Sequence, residues 1–163
     1  MTHPALDLVW VTAAPGEIGL MRAPGHGDGV AQDLAAVKAQ NVAVLVSLIE
    51  ASEPHLLDIA GCAAGTELGW HHLPIADFAV PDAAWERAWQ TVRPHLHHAL
   101  DQGQRIAVHC RGGRGRSGLV AARLLIERGC DADAAISAVR AVRPEAIETP
   151  EQMAYVRAVL RRE

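Results

Sequence analysis

The chain has 163 residues, half of them hydrophobic, and a formal net charge of −4. That length suits one domain, expected to span residues 1–163, and the mild acidity argues against a nucleic-acid-binding or membrane-surface protein. No apolar run approaches the roughly 20 residues needed to span a bilayer.

In chain order, the pattern predicts a strand over Leu6–Val11 and a second over Glu17–Met21, placed as a hairpin partner. Ala23–Gly29 reads as loop, Val30–Gln40 as helix, and the continuous apolar run Val42–Ile49 as a central strand buried on both faces. A helix over Glu53–Ala64 and a strand at Trp70–Leu73 follow. Asp82 is placed to cap a long helix reaching Leu100, within which Trp85 and Trp89 are i,i+4 neighbours. Arg105–His109 is a short buried strand, and Ser117–Arg128 a helix that stops at Gly129. Asp131–Val142 and Pro150–Arg162 complete the helices. Strands alternating with helices indicate an α/β fold: a mostly parallel sheet of about five strands covered on both faces, with ligands bound beyond the carboxyl ends of the strands.

Cys110 lies at such an end, within Val108-His109-Cys110-Arg111-Gly112-Gly113-Arg114-Gly115-Arg116-Ser117-Gly118. A Gly-rich turn entering a helix directs backbone N–H groups inward and adds the positive end of the helix dipole, which makes an anion cradle. A thiol in that setting favours the nucleophilic thiolate form. The planar fork of Arg116 can hold two oxygens of a phosphoryl group. Gly112, Gly113 and Gly115 permit close backbone approach, and Arg111 and Arg114 add local positive charge. Ser117 is placed to donate to the Cys110 sulfur, which makes it a better leaving group in a second step. His109 is expected to order the loop through backbone contacts.

The string resembles the His-Cys-x5-Arg-[Ser/Thr] signature of the cysteine-dependent protein-tyrosine and dual-specificity phosphatase superfamily, and is closest to small members similar to the kinase-associated phosphatase. The resemblance extends to Ile18-Gly19-Leu20, Ala23-Pro24-Gly25 and Asp33-Leu34, to His71–Phe78 with Pro81-Asp82, and to Ile147–Gln152. It implies attack by Cys110 on phosphorus, a cysteinyl-phosphate intermediate and hydrolysis of phosphotyrosine, with phosphoserine and phosphothreonine also in range. The implied general acid is Asp77; Asp82, its competitor, is better placed as a helix cap. Gln152 matches a position that in some relatives orients the hydrolytic water, yet it also completes a capping box with Thr149.

The expected partner is a phosphorylated protein or peptide. Arg111 and Arg114 keep open an alternative, a polyanionic inositol phosphate or phosphoinositide. His71, His72, His95, His97 and His98 invite a metal reading, but no carboxylate or cysteine completes a recognisable site, so neither metal nor cofactor is expected. Cys62, Cys110 and Cys130 have no disulfide or metal spacing, although Cys62 or Cys130 pairing with Cys110 on oxidation would be a redox switch. The N-terminus has no basic segment and Asp7 interrupts its apolar stretch, so a reducing cytoplasm is the expected compartment.

Overall fold

A computed structural model describes residues 6–25 and 29–159 of the chain. The strands are β1 (Val9–Ala13), β2 (Gly16–Met21), β3 (Val42–Ser47), β4 (Gly69–His72) and β5 (Arg105–His109). The helices are α1 (Val30–Ala39), α2 (Leu56–Ala64), α3 (Ala83–Asp101), α4 (Gly115–Glu127), α5 (Ala132–Val142) and α6 (Pro150–Val159). The sheet order is β1-β2-β5-β3-β4. β1 and β2 form an antiparallel hairpin, and every other pairing is parallel. Continuous apolar runs put β3 and β5 inside the sheet, where no strand face meets water.

Side-chain alternation then sorts the core into two layers. Ile106 and Val108 of β5 join Val44 and Val46 of β3 in the cluster covered by α3, α4, α5 and α6. Ala107 and Leu45 face the other way, into the cluster under α1 and α2. In the first layer Trp85 and Trp89 stack at 4.9 Å, as their spacing on α3 requires.

Several boundaries differ from expectation by one to three residues, and three of these shifts have a clear local reason or bear on the site. β1 begins at Val9 because Leu6 and Asp7 form a turn; Asp7 has φ 51° and its carboxylate accepts from Arg143 Nη1 at 2.7 Å. Leu6 and Leu8 are buried nonetheless. α2 begins at Leu56 rather than Glu53, since Pro54 disfavours helical geometry at the residue before it and His55 has φ 76°. That change frees Glu53 from a helix surface. α4 begins at Gly115, two residues ahead of Ser117, so Arg116 and Ser117 lie in its first turn. Asp82 caps α3 as expected, accepting from Trp85 N at 2.8 Å. The expected stretch of α6 beyond Val159, and residues 26–28 of the expected loop, lie outside the described residues. No helix among the described residues is long and apolar enough to cross a membrane.

Candidate active site

The loop from Cys110 to Arg116 leaves the carboxyl end of β5 and turns into α4 over the segment that follows β2. Arg111 O accepts from Ala23 N at 3.1 Å, which fastens the loop to that segment. Gly113 has φ 76°, and a Cβ there would lie 2.6 Å from Met21 C and 2.7 Å from Arg22 N. Only glycine fits so close a backbone crossing. The Cys110 side chain is almost fully buried, and Ser117 Oγ donates to its sulfur at 3.0 Å.

Arg116 is 1% exposed. Nη1 and Nη2 donate to Glu53 Oε2 and Oε1 at 2.7 and 3.0 Å, and Nη1 also donates to Ile75 O at 2.9 Å. Nε–H is buried with no hydrogen-bond partner. Asp77 Oδ1 lies 3.3 Å from Nη2 and accepts from Phe78 N at 3.0 Å. Burial alone would disfavour the Glu53 carboxylate. The hydrogen bonds from Arg116 and Glu50 N, with the charges of Arg116 and Arg111, outweigh it and hold the pKa below the ordinary value. For Arg116, burial is likewise overcome by Glu53 and by the charges of Cys110 and Asp77, so its pKa is raised.

Behind the loop runs a hydrogen-bond chain with one possible polarity. His109 Nδ1 is 3.0 Å from Cys110 O, and a carbonyl only accepts, so Nδ1 carries the proton. Nε2 of the neutral ring is therefore an acceptor, and Ser47 Oγ donates to it at 2.6 Å. Ser47 Oγ in turn accepts from Trp70 Nε1 at 2.8 Å. His109 is fully buried, and burial above all, aided by the Arg116 charge, lowers its pKa to about 4. A Cys110 carbonyl drawn toward His109 turns the N–H of the same trans peptide the opposite way.

The remaining expected residues divide. Gln152 is buried in a capping box: its Oε1 accepts from Glu148 N and Thr149 N, and its N–H donates to Thr149 Oγ1 at 3.0 Å. Arg111 and Arg114 are exposed; Arg114 Nε stands 3.9 Å from Glu145, and Arg111 lies beside Glu53. The histidines scatter. His71 Nε2 and His95 Nδ1 meet at 2.8 Å, His97 donates to Glu127, and His72 donates to Ile49 O. No group of three potential metal ligands occurs among the described residues. Neither Cys62 nor Cys130 adjoins Cys110: Cys62 lies on α2 against α1, and Cys130 borders a pocket with Ala13, Ala14 and Asp101 at the opposite end of the sheet.

Three residues of this site escape a reading of the sequence. Glu53 reads as a helix start, although the Glu-Pro pair signals the break that exposes it. Ser47 and Trp70 read as strand and core, and the one signal is a hydroxyl inside an otherwise apolar run.

Comparison with known proteins identifies the family. Residues 19–130 match the family described as "Polymorphic toxin system, DSP-PTPase phosphatase". The cyclin-dependent kinase inhibitor 3 of Homo sapiens is 33% identical over 132 residues, which cover 77% of this chain and 59% of that protein. The chain thus spans less than two thirds of that relative. The solved structure of the kinase associated phosphatase, with its catalytic site cysteine replaced by serine, superposes with a TM-score of 0.79 at 26% identity, covering 96% of this chain and 95% of that one. Tk-PTP in its active form gives a TM-score of 0.71 at 30% identity, over 90% of this chain and 92% of that one. The chain belongs to the DSP-PTPase family, the cysteine-based protein-tyrosine and dual-specificity phosphatases.

Proposed function

We propose that the chain hydrolyses phosphomonoesters on proteins, phosphotyrosine first and phosphoserine or phosphothreonine as further substrates, with residues 1–163 as one catalytic domain. The carrying observation is Arg116: buried, gripped along one edge by Glu53, and holding an unpartnered Nε–H beside Cys110. A buried donor without an acceptor is costly, and an oxyanion bound there satisfies it.

In the first step the Cys110 thiolate attacks phosphorus as the bond from phosphorus to the ester oxygen breaks. Arg116 and the loop N–H groups hold the non-bridging oxygens, and Asp77 gives its proton to the departing oxygen. In the second step water attacks the cysteinyl phosphate. Its proton passes to the Asp77 carboxylate, the bond from sulfur to phosphorus breaks, and Ser117 stabilises the returning thiolate. Inorganic phosphate leaves.

A relative named as a kinase associated phosphatase supports a phosphoprotein as substrate. Arg111 and Arg114 each have a carboxylate nearby, Glu53 and Glu145, which offsets the charge a polyphosphate would seek. The test is a panel of phosphotyrosyl, phosphothreonyl and phosphoseryl peptides with a soluble inositol polyphosphate, and Cys110→Ser as control. Turnover of the phosphotyrosyl peptide, abolished in Cys110→Ser, is expected. A strong preference for the inositol polyphosphate overturns the assignment of a protein substrate.

A further inference from the structure

The amide of Gln152 has a second partner that neither helix capping nor water orientation explains. Its Nε2 donates to Ala79 O at 3.0 Å, across 73 residues of sequence. Ala79 closes the short turn that carries the candidate acid: Ala79 N donates to Ala76 O at 3.0 Å, with Asp77 and Phe78 between them. Phe78 is 59% exposed and has φ 63°, so this turn has little packing of its own to hold it. On its upstream side, Ile75 is fixed by Leu48 O and by Arg116 Nη1. On the downstream side, Gln152 holds Ala79 O.

We infer that Gln152 is a positioning residue for Asp77, acting through Ala79. The inference rests on the reading of Asp77 as general acid. Oε1 is committed to the N–H groups of Glu148 and Thr149, and Nε2 to Ala79, so the amide is anchored at both ends. The same Oε1 would lie 3.0 Å from a Cβ on Gly115, the first residue of α4. One buried amide thus ties the start of α6 to the acid turn and rests against the catalytic loop. With both lone pairs of Oε1 taken by buried N–H groups, the amide oxygen cannot accept from a water without giving up one of them.

The decisive variant is Gln152→Glu. A glutamate at this position of a capping box still accepts from the helix-start N–H groups, so α6 keeps its cap. Its second oxygen then faces Ala79 O, acceptor against acceptor, and the link is lost. Loss of acid positioning is read by comparing phenyl phosphate, whose leaving group needs a proton, with 4-nitrophenyl phosphate, whose leaving group needs it far less. We expect kcat/KM, which reports the first step, to fall about tenfold further on phenyl phosphate than on 4-nitrophenyl phosphate, a fraction of the roughly 10²–10⁴ a general acid supplies. Burying a carboxylate against Ala79 O lowers the melting temperature as well. The diagnostic readout is therefore the dependence on leaving group, which a purely structural loss would not show, and Gln152→Glu should add little to Asp77→Asn. Thr149→Ala, which weakens the cap but leaves the Ala79 link, should lower the melting temperature without any dependence on leaving group. Equal losses of kcat/KM on both substrates, or a build-up of cysteinyl phosphate in Gln152→Glu that Asp77→Asn does not show, would overturn the inference. If Asp77→Asn is itself blind to the leaving group, the acid assignment fails and this inference falls with it. A graded Asp77→Asn beside a flat Gln152→Glu removes the inference alone.

Discussion

Glu53 binds Arg116 end-on, through both terminal nitrogens, and so determines which edge of the guanidinium can meet an oxyanion. The edge formed by Nε and Nη2 is the one left to grip phosphate, with Asp77 beside Nη2. Glu53→Gln keeps one acceptor, loses the charge and lets the fork rotate. Hydrogen bonds to charged groups are worth about 1.5–3 kcal/mol, so kcat/KM should fall by about 10–100-fold. Steady-state kinetics with a phosphotyrosyl peptide checks this; wild-type values would mean that Arg116 is held by Ile75 and packing alone.

The loop glycines should not respond alike. Gly113→Ala places a Cβ against the Met21–Arg22 backbone at a residue with φ 76°, and neither neighbour is a side chain that can swing away. Strain of that kind costs about 1–3 kcal/mol, and the cradle is displaced as well, so activity should be lost with a lower melting temperature. A Cβ at Gly112 meets nothing within 4 Å. Gly112→Ala should fold as the wild type does. Thermal unfolding of the pair separates them, and equal melting temperatures would refute the close crossing at Gly113.

Ser117→Ala removes the donor 3.0 Å from the Cys110 sulfur. The thiolate is the leaving group of the second step, so that step should slow by about tenfold or more while the first is less affected. Rapid mixing with 4-nitrophenyl phosphate should then show a burst of nitrophenol close to one per enzyme. A variant slowed equally in both phases would place Ser117 in ground-state structure only.

The chain from Trp70 through Ser47 to His109 makes a prediction about acid. His109 has its pKa lowered from 6.5 to about 4. Above pH 6.5 the ring is neutral in folded and unfolded chains alike, and its contribution to stability is complete. As pH falls from about 6.5 to about 4 the unfolded chain takes up a proton that the folded one refuses, and that stability is lost. Ser47→Ala deletes the donor to Nε2 and should destabilise by about 1–3 kcal/mol at neutral pH. Protonation turns Nε2 into a donor, so the penalty should shrink toward pH 4. Urea unfolding of both proteins at several pH values tests the trend, and a penalty independent of pH would assign the loss to packing.

What could be read from the sequence follows the range of each interaction. Cys110, Arg116 and Ser117 are fixed by one continuous strand–loop–helix segment, so their spacing alone carries the geometry. Asp77 is legible only through resemblance; its Oδ1 stands 3.3 Å from Arg116 Nη2. Glu53 contacts Arg116 across 63 residues, and Ser47 meets His109 across 62. No local pattern encodes either approach: the parallel pairing of β3 with β5 sets Ser47 opposite His109, and the segment between β3 and α2 brings Glu53 to the start of α4. Gln152 shows the divide within one side chain. Its capping box with Thr149 is legible at a spacing of three, whereas its hold on Ala79 exists only once α6 has packed.

The far side of α4 yields a last prediction, of opposite location and separate pH range. Glu127 accepts from Trp89 Nε1 at 2.8 Å, Arg93 Nε at 3.0 Å, His97 Nε2 at 2.8 Å and Arg123 Nε at 2.9 Å. Burial would raise its pKa, but these four donors together lower it from 4.5 to about 2. The folded chain therefore keeps a carboxylate that the unfolded chain protonates. Its stabilisation is full above about pH 4.5 and is lost as pH falls through about 2. Glu127→Gln, which leaves the surrounding arginines without their counter-charge, should be clearly less stable than wild type at pH 7. In acid the wild type loses the same charge, so the two unfolding curves should converge near pH 2. A gap that persists there would show that Glu127 stabilises the α3–α4 contact by shape and hydrogen bonding and not by charge.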